Sequence, residues 1–345
     1  MRELNFTLEP ILEQELYSSP PLMTVVVAKL NGVKRDIPKA FKLTNDLAKD
    51  DLKHLRRLRH LPDETLECII CKSNHSTSNA EELEELEKRF QPENIFTDFR
   101  FAQVPSKSPR TEQQLIACNA IWPCKFAKCN HLVKCIDGTL LTNAETLVLN
   151  IIVEEAFNKL KSSDNASIAV IYRCSKVYGV GVSSKKTIED NPVKHSTMLA
   201  IDSVAYNYNA GYWKDSSADD IMKSIQSRLD DQASLKDHRL SDSFLPYLCT
   251  EFDIFITEEP CFMCTMGLVQ SRIRRLFYLG NSTRQLGCRE NLCYPDRAIR
   301  THMVHRDKNL NHRFEAWDVV IDQKSQLMIP RRSSQLDNNK IVDSG

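Results

Sequence analysis

Apolar residues in the first hundred positions are spaced in patterns that predict alternating strands and helices. Runs of consecutive or alternating apolar residues predict strands over 24–30, 66–71 and 95–104. Between these runs, leucines at helical intervals predict amphipathic helices over 40–59 and 80–90. The order strand, helix, strand, helix, strand predicts a small ferredoxin-like α/β domain.

The rest of the chain predicts a larger α/β unit. Its predicted elements are a helix over 143–160, strands over 168–172 and 177–182, a helix over 193–205, a strand over 252–256, a helix over 261–271 and a strand over 275–279. A proline- and serine-rich stretch at 105–109 marks a boundary before this unit.

These patterns predict the division of the chain. We expect a poorly ordered lead-in over 1–20, an N-terminal domain over 21–105, a connecting stretch over 106–140, an α/β/α layered domain over 141–330 and a tail over 331–345. Charged residues over about 210–244 predict a surface insertion with a short helix.

Composition narrows the class of protein. With 41% hydrophobic and 27% charged residues, the chain has the composition of a globular protein, and no apolar run is long enough to span a membrane. The first residues lack a secretory signal, so we expect the nucleus and cytoplasm, where the 12 cysteines stay reduced. The 46 basic residues balance 46 acidic ones, so nucleic-acid contacts would require local patches.

Candidate chemistry is concentrated at a Pro-Cys-x-x-Cys motif. Pro260 stands where an apolar strand gives way to a helix, and proline is tolerated in a first helical turn. Cys261 and Cys264 are then one turn apart on one helix face, near the positive end of the helix dipole, which favours thiolates. His195, at the start of another apolar helix, is the candidate third ligand of a zinc ion.

One position departs from the pattern of a working enzyme. Zinc-dependent nucleobase deaminases carry His-x-Glu followed by Pro-Cys-x-x-Cys, and the glutamate is their general acid and base. This chain has the histidine and both cysteines but has Thr197 where the glutamate is expected. A hydroxyl has no accessible pKa near neutrality, so it cannot shuttle protons.

Residues 110–325 resemble the tRNA-specific adenosine deaminase family. The resemblance is strongest over 257–273, and the pairs Trp122-Pro123 and Asn311-His312 also fit. It implies a cytidine-deaminase-like α/β/α fold, a zinc cofactor and a tRNA substrate. The lost glutamate and the separate N-terminal domain resemble the non-catalytic third-type subunits of eukaryotic wobble-position (A34) deaminases. Such a subunit would pair with a catalytic second-type subunit and help to hold the tRNA anticodon arm, with the zinc site kept as a structural staple.

Two alternatives stay open at this point. The chain could be an active zinc deaminase that uses a displaced carboxylate, for which Glu258 and Glu259 are the candidates. It could also be a stand-alone RNA-binding protein on a retired deaminase scaffold.

Two basic segments are candidate tRNA contacts, because phosphate neutralisation supplies most non-specific affinity for nucleic acid. Each could equally be ordinary solvated surface. The candidate residues are Lys53, Arg56, Arg57 and Arg59 in the first segment and Arg297 and Arg300 in the second.

Overall fold

The computed structural model describes residues 5–31, 36–47, 50–62, 65–73, 80–162, 165–213, 216–238, 248–280 and 298–322. The chain forms two units. Residues 12–133 are the N-terminal unit, and residues 134–345 together with residues 1–11 are the C-terminal unit. The predicted tail over 331–345 lies outside the described residues. No helix that the structure describes combines the length and apolarity needed to cross a membrane.

The elements follow in chain order. The strands are β1 (Phe6–Pro10), β2 (Leu22–Leu30), β3 (Leu58–His60), β4 (Leu66–Lys72), β5 (Phe96–Pro105), β6 (Asn165–Arg173), β7 (Lys176–Ser184), β8 (Asp253–Ile256), β9 (Arg275–Tyr278) and β10 (Glu315–Ile321). The helices are α1 (Ile37–Thr44), α2 (Ala80–Phe90), α3 (Glu112–Ile121), α4 (Asn130–Ile136), α5 (Asn143–Ser162), α6 (Lys185–Asp190), α7 (Ser196–Tyr206), α8 (Ser216–Asp230) and α9 (Phe262–Gln270).

The C-terminal unit is built on a mixed sheet with the strand order β1-β10-β9-β8-β6-β7. Strands β6 and β7 form an antiparallel hairpin, and β8, β9 and β10 run parallel to one another. A hairpin beside three parallel strands is the arrangement expected of a cytidine-deaminase-like fold, so the predicted fold class is confirmed.

Helices cover both faces of this sheet, because successive side chains of a strand point to opposite sides. Phe255 and Phe277 enter one core with residues of α5 and α8. Ile254 and Leu276 enter the opposite core with residues of α7 and α9. The unit therefore has the predicted α/β/α layers.

Two glycines of β7 allow α7 to lie against the sheet. A Cβ atom added to Gly181 would lie 2.0 Å from the carbonyl oxygen of Ser196, and one added to Gly179 would lie 2.5 Å from that of Ala200. No larger residue fits without moving the helix. The two glycines therefore fix the height of the helix that begins next to His195.

A buried ion-pair cluster joins β8, β9 and the start of α5. The carboxylate of Asp253 accepts paired hydrogen bonds from Arg274 (3.0 and 2.8 Å) and from Arg275 (2.9 and 2.5 Å). Arg275 also donates to Glu145 at 2.7 Å. The side chains of Asp253 and Arg275 are 3% and 7% exposed, so these charges depend on one another for stabilisation.

Two predictions for this unit are wrong. The lead-in over 1–20 is not without structure, because residues 6–10 form β1, which pairs with β10 at the edge of the sheet. The stretch over 210–244 is not simply a surface excursion, because α8 has 15 residues and buries Ile221, Ile225 and Leu229 in the core. In both cases a pattern dominated by polar residues concealed an apolar face that packs on the sheet.

The N-terminal unit has the ferredoxin-like order βαββαβ. Its antiparallel sheet has the strand order β3-β4-β2-β5. The predicted helix over 40–59 is wrong: α1 ends at Thr44, and residues 58–60 form the edge strand β3. The helical spacing of leucines was misleading, because Leu52 ends a short 3-10 helix and Leu55 follows it, and both pack on the sheet from outside any α-helix.

Both faces of this small sheet are covered. One face packs on α1 and α2 through a core that includes Ala40 and Leu86. The other packs on Leu55 and on Cys118 and Trp122, which come from α3 and the residue after it. Any RNA contact by this unit must therefore use its loops and edges, since neither face of the sheet is open.

Candidate metal centre

Three potential zinc ligands converge where two helices begin. His195 is the N-cap residue of α7, Cys261 is the N-cap residue of α9, and Cys264 lies in the first turn of α9. The Nδ1 atom of His195 lies 3.6 Å from the sulfur of Cys261 and 3.4 Å from that of Cys264. All three donor atoms lie within 4.8 Å of one another, which is the spacing of ligands around one ion.

Two contacts hold the elements that carry these ligands. Thr257, directly after β8, makes two hydrogen bonds with Ile168 of β6: its hydroxyl oxygen accepts from the Ile168 amide at 2.8 Å, and its own amide donates to the Ile168 carbonyl at 3.0 Å. Gly267 of α9 meets Met198 of α7 so closely that an added Cβ would lie 2.8 Å from the methionine sulfur. The site thus lies at the carboxyl end of a parallel strand, where α/β sheets usually place ligands.

The donor set fits zinc. One imidazole and two thiols at a pair of helix N-termini are borderline-soft ligands in a positive field that favours the thiolates. The interaction with Cys261 and the charge of Glu258 raise the pKa of His195 and outweigh its burial, which lowers it. Three protein ligands leave one of the four tetrahedral positions for another group.

Thr197 is the second residue of α7, within its first turn, and is 2% exposed. The position that the sequence marked as lacking the catalytic carboxylate is thus a buried part of the same helix start.

Neither neighbouring glutamate completes the site in this structure. Among the residues that the structure describes, no carboxylate oxygen joins the three donor atoms at ligand spacing. The carboxylate of Glu259 instead accepts a 2.9 Å hydrogen bond from the backbone amide of Arg300. Glu258 is 6% exposed and influences His195 by its charge.

Two of the four candidate residues in the first basic segment contact other side chains, and the other two are exposed. Arg57 donates to Thr44 and stacks over Phe41 at 4.9 Å. Arg59 donates to the fully buried Glu67 at 2.7 Å and lies 4.3 Å over the ring of Trp122. The side chains of Lys53 and Arg56 are exposed.

The second basic segment is described only in part. Arg300 donates to the buried Asp318 at 2.5 Å, and its own side chain is 32% exposed. Arg297 lies outside the described residues.

Tertiary structure adds one basic residue that the sequence did not suggest. The backbone of 54–56 pairs with that of 123–125 through an antiparallel bridge between Leu55 and Cys124. Because these two residues are buried, Arg56 and Lys125 lie on the opposite, exposed side. In the described part of the chain, no carboxylate pairs with either of them. Lys125 carries no sequence signal, since it is an isolated lysine in a proline- and cysteine-containing loop.

Comparison with known proteins gives a consistent set of relatives. The chain is 26% identical over 290 residues to the human "Probable inactive tRNA-specific adenosine deaminase-like protein 3", covering 80% of this chain and 79% of that protein. It is 29% identical over 280 residues to the Schizosaccharomyces pombe "tRNA-specific adenosine deaminase subunit tad3", covering 78% and 75%. The Saccharomyces cerevisiae subunit TAD3 is 24% identical over 331 residues, covering 88% and 86%.

The comparisons with family models and with solved structures add less evidence. No model of a known protein family matches the chain. A solved structure from a study of A-to-I editing by tRNA:A34 deaminases matches 50% of this chain and 91% of its own length, with 16% identity and a TM-score of 0.29. The conclusion on descent therefore comes from the curated relatives, which span most of both chains: this protein is a homologue of the third-type subunits of the tRNA-specific adenosine deaminases.

Proposed function

We propose that this chain is the non-catalytic, zinc-binding subunit of a two-subunit tRNA adenosine deaminase that converts adenosine to inosine at wobble position 34. The observation that carries the proposal is the convergence of His195, Cys261 and Cys264 at the starts of α7 and α9. Two residues after His195, where a working deaminase has glutamate, this chain has Thr197. The relatives labelled probable inactive deaminase-like proteins support the same conclusion.

The chemistry explains why such a site would bind metal without turning over substrate. Zinc held by this ligand set would supply Lewis-acid activation of water. A carboxylate must then move protons to the ring nitrogen and the leaving ammonia. Thr197 has no ionisable group for this task, and loss of a positioned acid or base costs on the order of 10²–10⁴ in rate. The metal would instead hold α7 to α9.

The catalytic carboxylate would come from a second-type subunit. We place the assembled enzyme in the nucleus and cytoplasm, with the anticodon arm as the bound part of the tRNA. The exposed cations of the N-terminal unit, Lys53, Arg56 and Lys125, are the candidate contacts with its phosphates.

The test compares the chain alone with the chain co-expressed with a second-type catalytic subunit. Inosine in an anticodon stem-loop RNA is expected only with the partner, and zinc analysis is expected to find one ion bound to this chain. Inosine formed by the chain alone would favour a displaced carboxylate. Binding of RNA without any partner or activity would favour a stand-alone RNA-binding protein.

A matched pair of variants tests whether the missing carboxylate at position 197 limits activity. Thr197→Glu restores the carboxylate, and Thr197→Ser keeps a hydroxyl. Only Thr197→Glu can raise the activity of the isolated chain if the missing proton shuttle is what limits it. Measurable inosine formation by the isolated wild-type chain, at the rate of the Thr197→Glu variant, would contradict the proposal.

A further inference from the structure

The loop that follows α7 is held rigidly against that helix. The carboxylate of Asp202 accepts hydrogen bonds from the backbone amides of Tyr212 (2.9 Å) and Trp213 (2.7 Å). A Cβ atom added to Gly211 would lie 2.6 Å from the carbonyl oxygen of Asp202 and from the Cα atom of Tyr206. The loop backbone therefore fits directly onto the helix, and the backbone amides of the two aromatic residues are held by Asp202.

This rigid loop presents an exposed aromatic surface. Tyr212 is 86% exposed, more than any other large apolar or aromatic residue in the described part of the chain. Its ring lies 6.0 Å from that of Trp213, at an angle of 83°. The packing of the chain does not require the Tyr212 ring, since almost none of it is buried. An exposed tyrosine ring beside a half-buried tryptophan, on a backbone held by hydrogen bonds, is typical of a binding surface.

A cation lies beside the pair. The ammonium of Lys194 lies 5.8 Å from the centre of the Trp213 ring. No carboxylate of the described residues pairs with this ammonium. Lys194 directly precedes His195, so the aromatic pair lies near the start of the metal-site helix. Aromatic rings that stack bases, with cations that follow the backbone, are the combination that single-stranded nucleic acid requires.

We propose that Tyr212, Trp213 and Lys194 form a platform on which an unpaired base of the RNA stacks, with its phosphate beside Lys194. This proposal rests on the proposed function, because the proposed function identifies the tRNA anticodon loop as the source of the unpaired base. It adds a contact in the C-terminal unit, separate from the exposed cations of the N-terminal unit. Lys194 pairs with no carboxylate in the described ranges, so charge complementarity favours RNA over an apolar protein partner.

The test uses the complex of this chain with its second-type catalytic subunit and an anticodon stem-loop RNA. Tyr212→Ala removes the ring but keeps the backbone amide that Asp202 binds. Base stacking is worth about 1–3 kcal/mol, so affinity is expected to fall between about 5-fold and 150-fold. Tyr212→Phe keeps the ring and is expected to restore binding. Tyr17→Ala removes another exposed ring (56% exposed), outside this loop, and is the matched control.

The cation is tested by salt dependence. Lys194→Met is expected to reduce the slope of log affinity against log salt by about 0.7, the value for one phosphate contact on a single strand. A 2-aminopurine base in the RNA loop is expected to lose fluorescence on binding the wild-type complex, and to lose less with Tyr212→Ala.

Several outcomes would overturn the platform. If Tyr212→Ala binds the RNA with wild-type affinity, or if Lys194→Met leaves the salt slope unchanged, the proposed contact with RNA does not exist. Loss of the catalytic subunit from the Tyr212→Ala complex would make the loop a protein interface. A wild-type complex that forms no inosine would instead count against the proposed function, so the two failures are distinguishable.

Discussion

The candidate functional residues converge in the C-terminal unit but are divided between packing contacts and solvent in the N-terminal unit. In the C-terminal unit, all three predicted metal ligands meet at one point. In the N-terminal unit, Arg57 and Arg59 contact neighbouring side chains, while Lys53 and Arg56 project into solvent. Metal-site residues are positioned by helix starts, whereas the role of each residue in a charged run depends on the fold around it. Four stability predictions sharpen this contrast, from the largest effect to the smallest.

Removal of a metal ligand is expected to have the largest effect. Cys264→Ser should abolish zinc binding and lower the free energy of unfolding by more than about 4 kcal/mol, because loss of a metal is among the most damaging single changes. Hydrogen exchange should rise in α7 and α9 and stay unchanged in β2 and β4. Cys174→Ser, at an exposed cysteine, is the control. A Cys264→Ser protein that retains one equivalent of zinc would refute the assigned ligand set.

The next effect concerns the ion-pair cluster of the C-terminal unit. Asp253→Ala leaves Arg275 buried without its main partner and should cost about 3–5 kcal/mol. Lys39→Ala breaks an exposed pair with Glu93 and should cost about 1 kcal/mol or less. Urea unfolding of both variants measures the difference, and equal losses would show that burial does not set the cost.

A third comparison separates two neighbouring arginines. Arg59→Met leaves the buried Glu67 with only Arg100 and should cost about 1–3 kcal/mol of stability. Arg56→Met should change stability by about 0.5 kcal/mol or less, since its side chain is exposed. For tRNA binding by the complex we expect the reverse, with Arg56→Met lowering the salt slope by about 1. If Arg56→Met leaves that slope unchanged, this residue is only solvated surface.

The smallest effect is a pH dependence. Burial raises the pKa of Glu145, but hydrogen bonds from Thr142 and the charge of Arg275 outweigh it and hold the pKa below its ordinary value. A carboxyl whose pKa is lowered by folding stabilises the protein above its unfolded pKa of about 4.3, and this contribution disappears as the pH falls through the lower, folded pKa. Glu145→Gln should therefore flatten the loss of stability below about pH 4. Parallel curves for wild type and variant would contradict this.

Much of the C-terminal unit could be predicted from the sequence. The strands at 252–256 and 275–279 are apolar enough to be recognised, and Pro260 marks the helix start that carries both cysteines. The N-terminal unit was predicted less well. Leucines at helical intervals predicted a helix over 40–59, yet Leu52 and Leu55 pack on the sheet from a segment that is not α-helical. Burial against a sheet therefore overrode the local periodicity.

The sequence by itself determined which residues are candidates for the chemistry of this protein: His195, Cys261 and Cys264 as metal ligands and Thr197 in place of a glutamate follow from residue identity and spacing. Only the tertiary structure decided which charges remain available, because the buried Glu67 and Asp318 pair with arginines of neighbouring segments. It likewise brought Lys125 beside Arg56 and fixed Tyr212 in solvent next to the helix of His195. Such contacts depend on pairing between distant segments, which no local pattern of residues records.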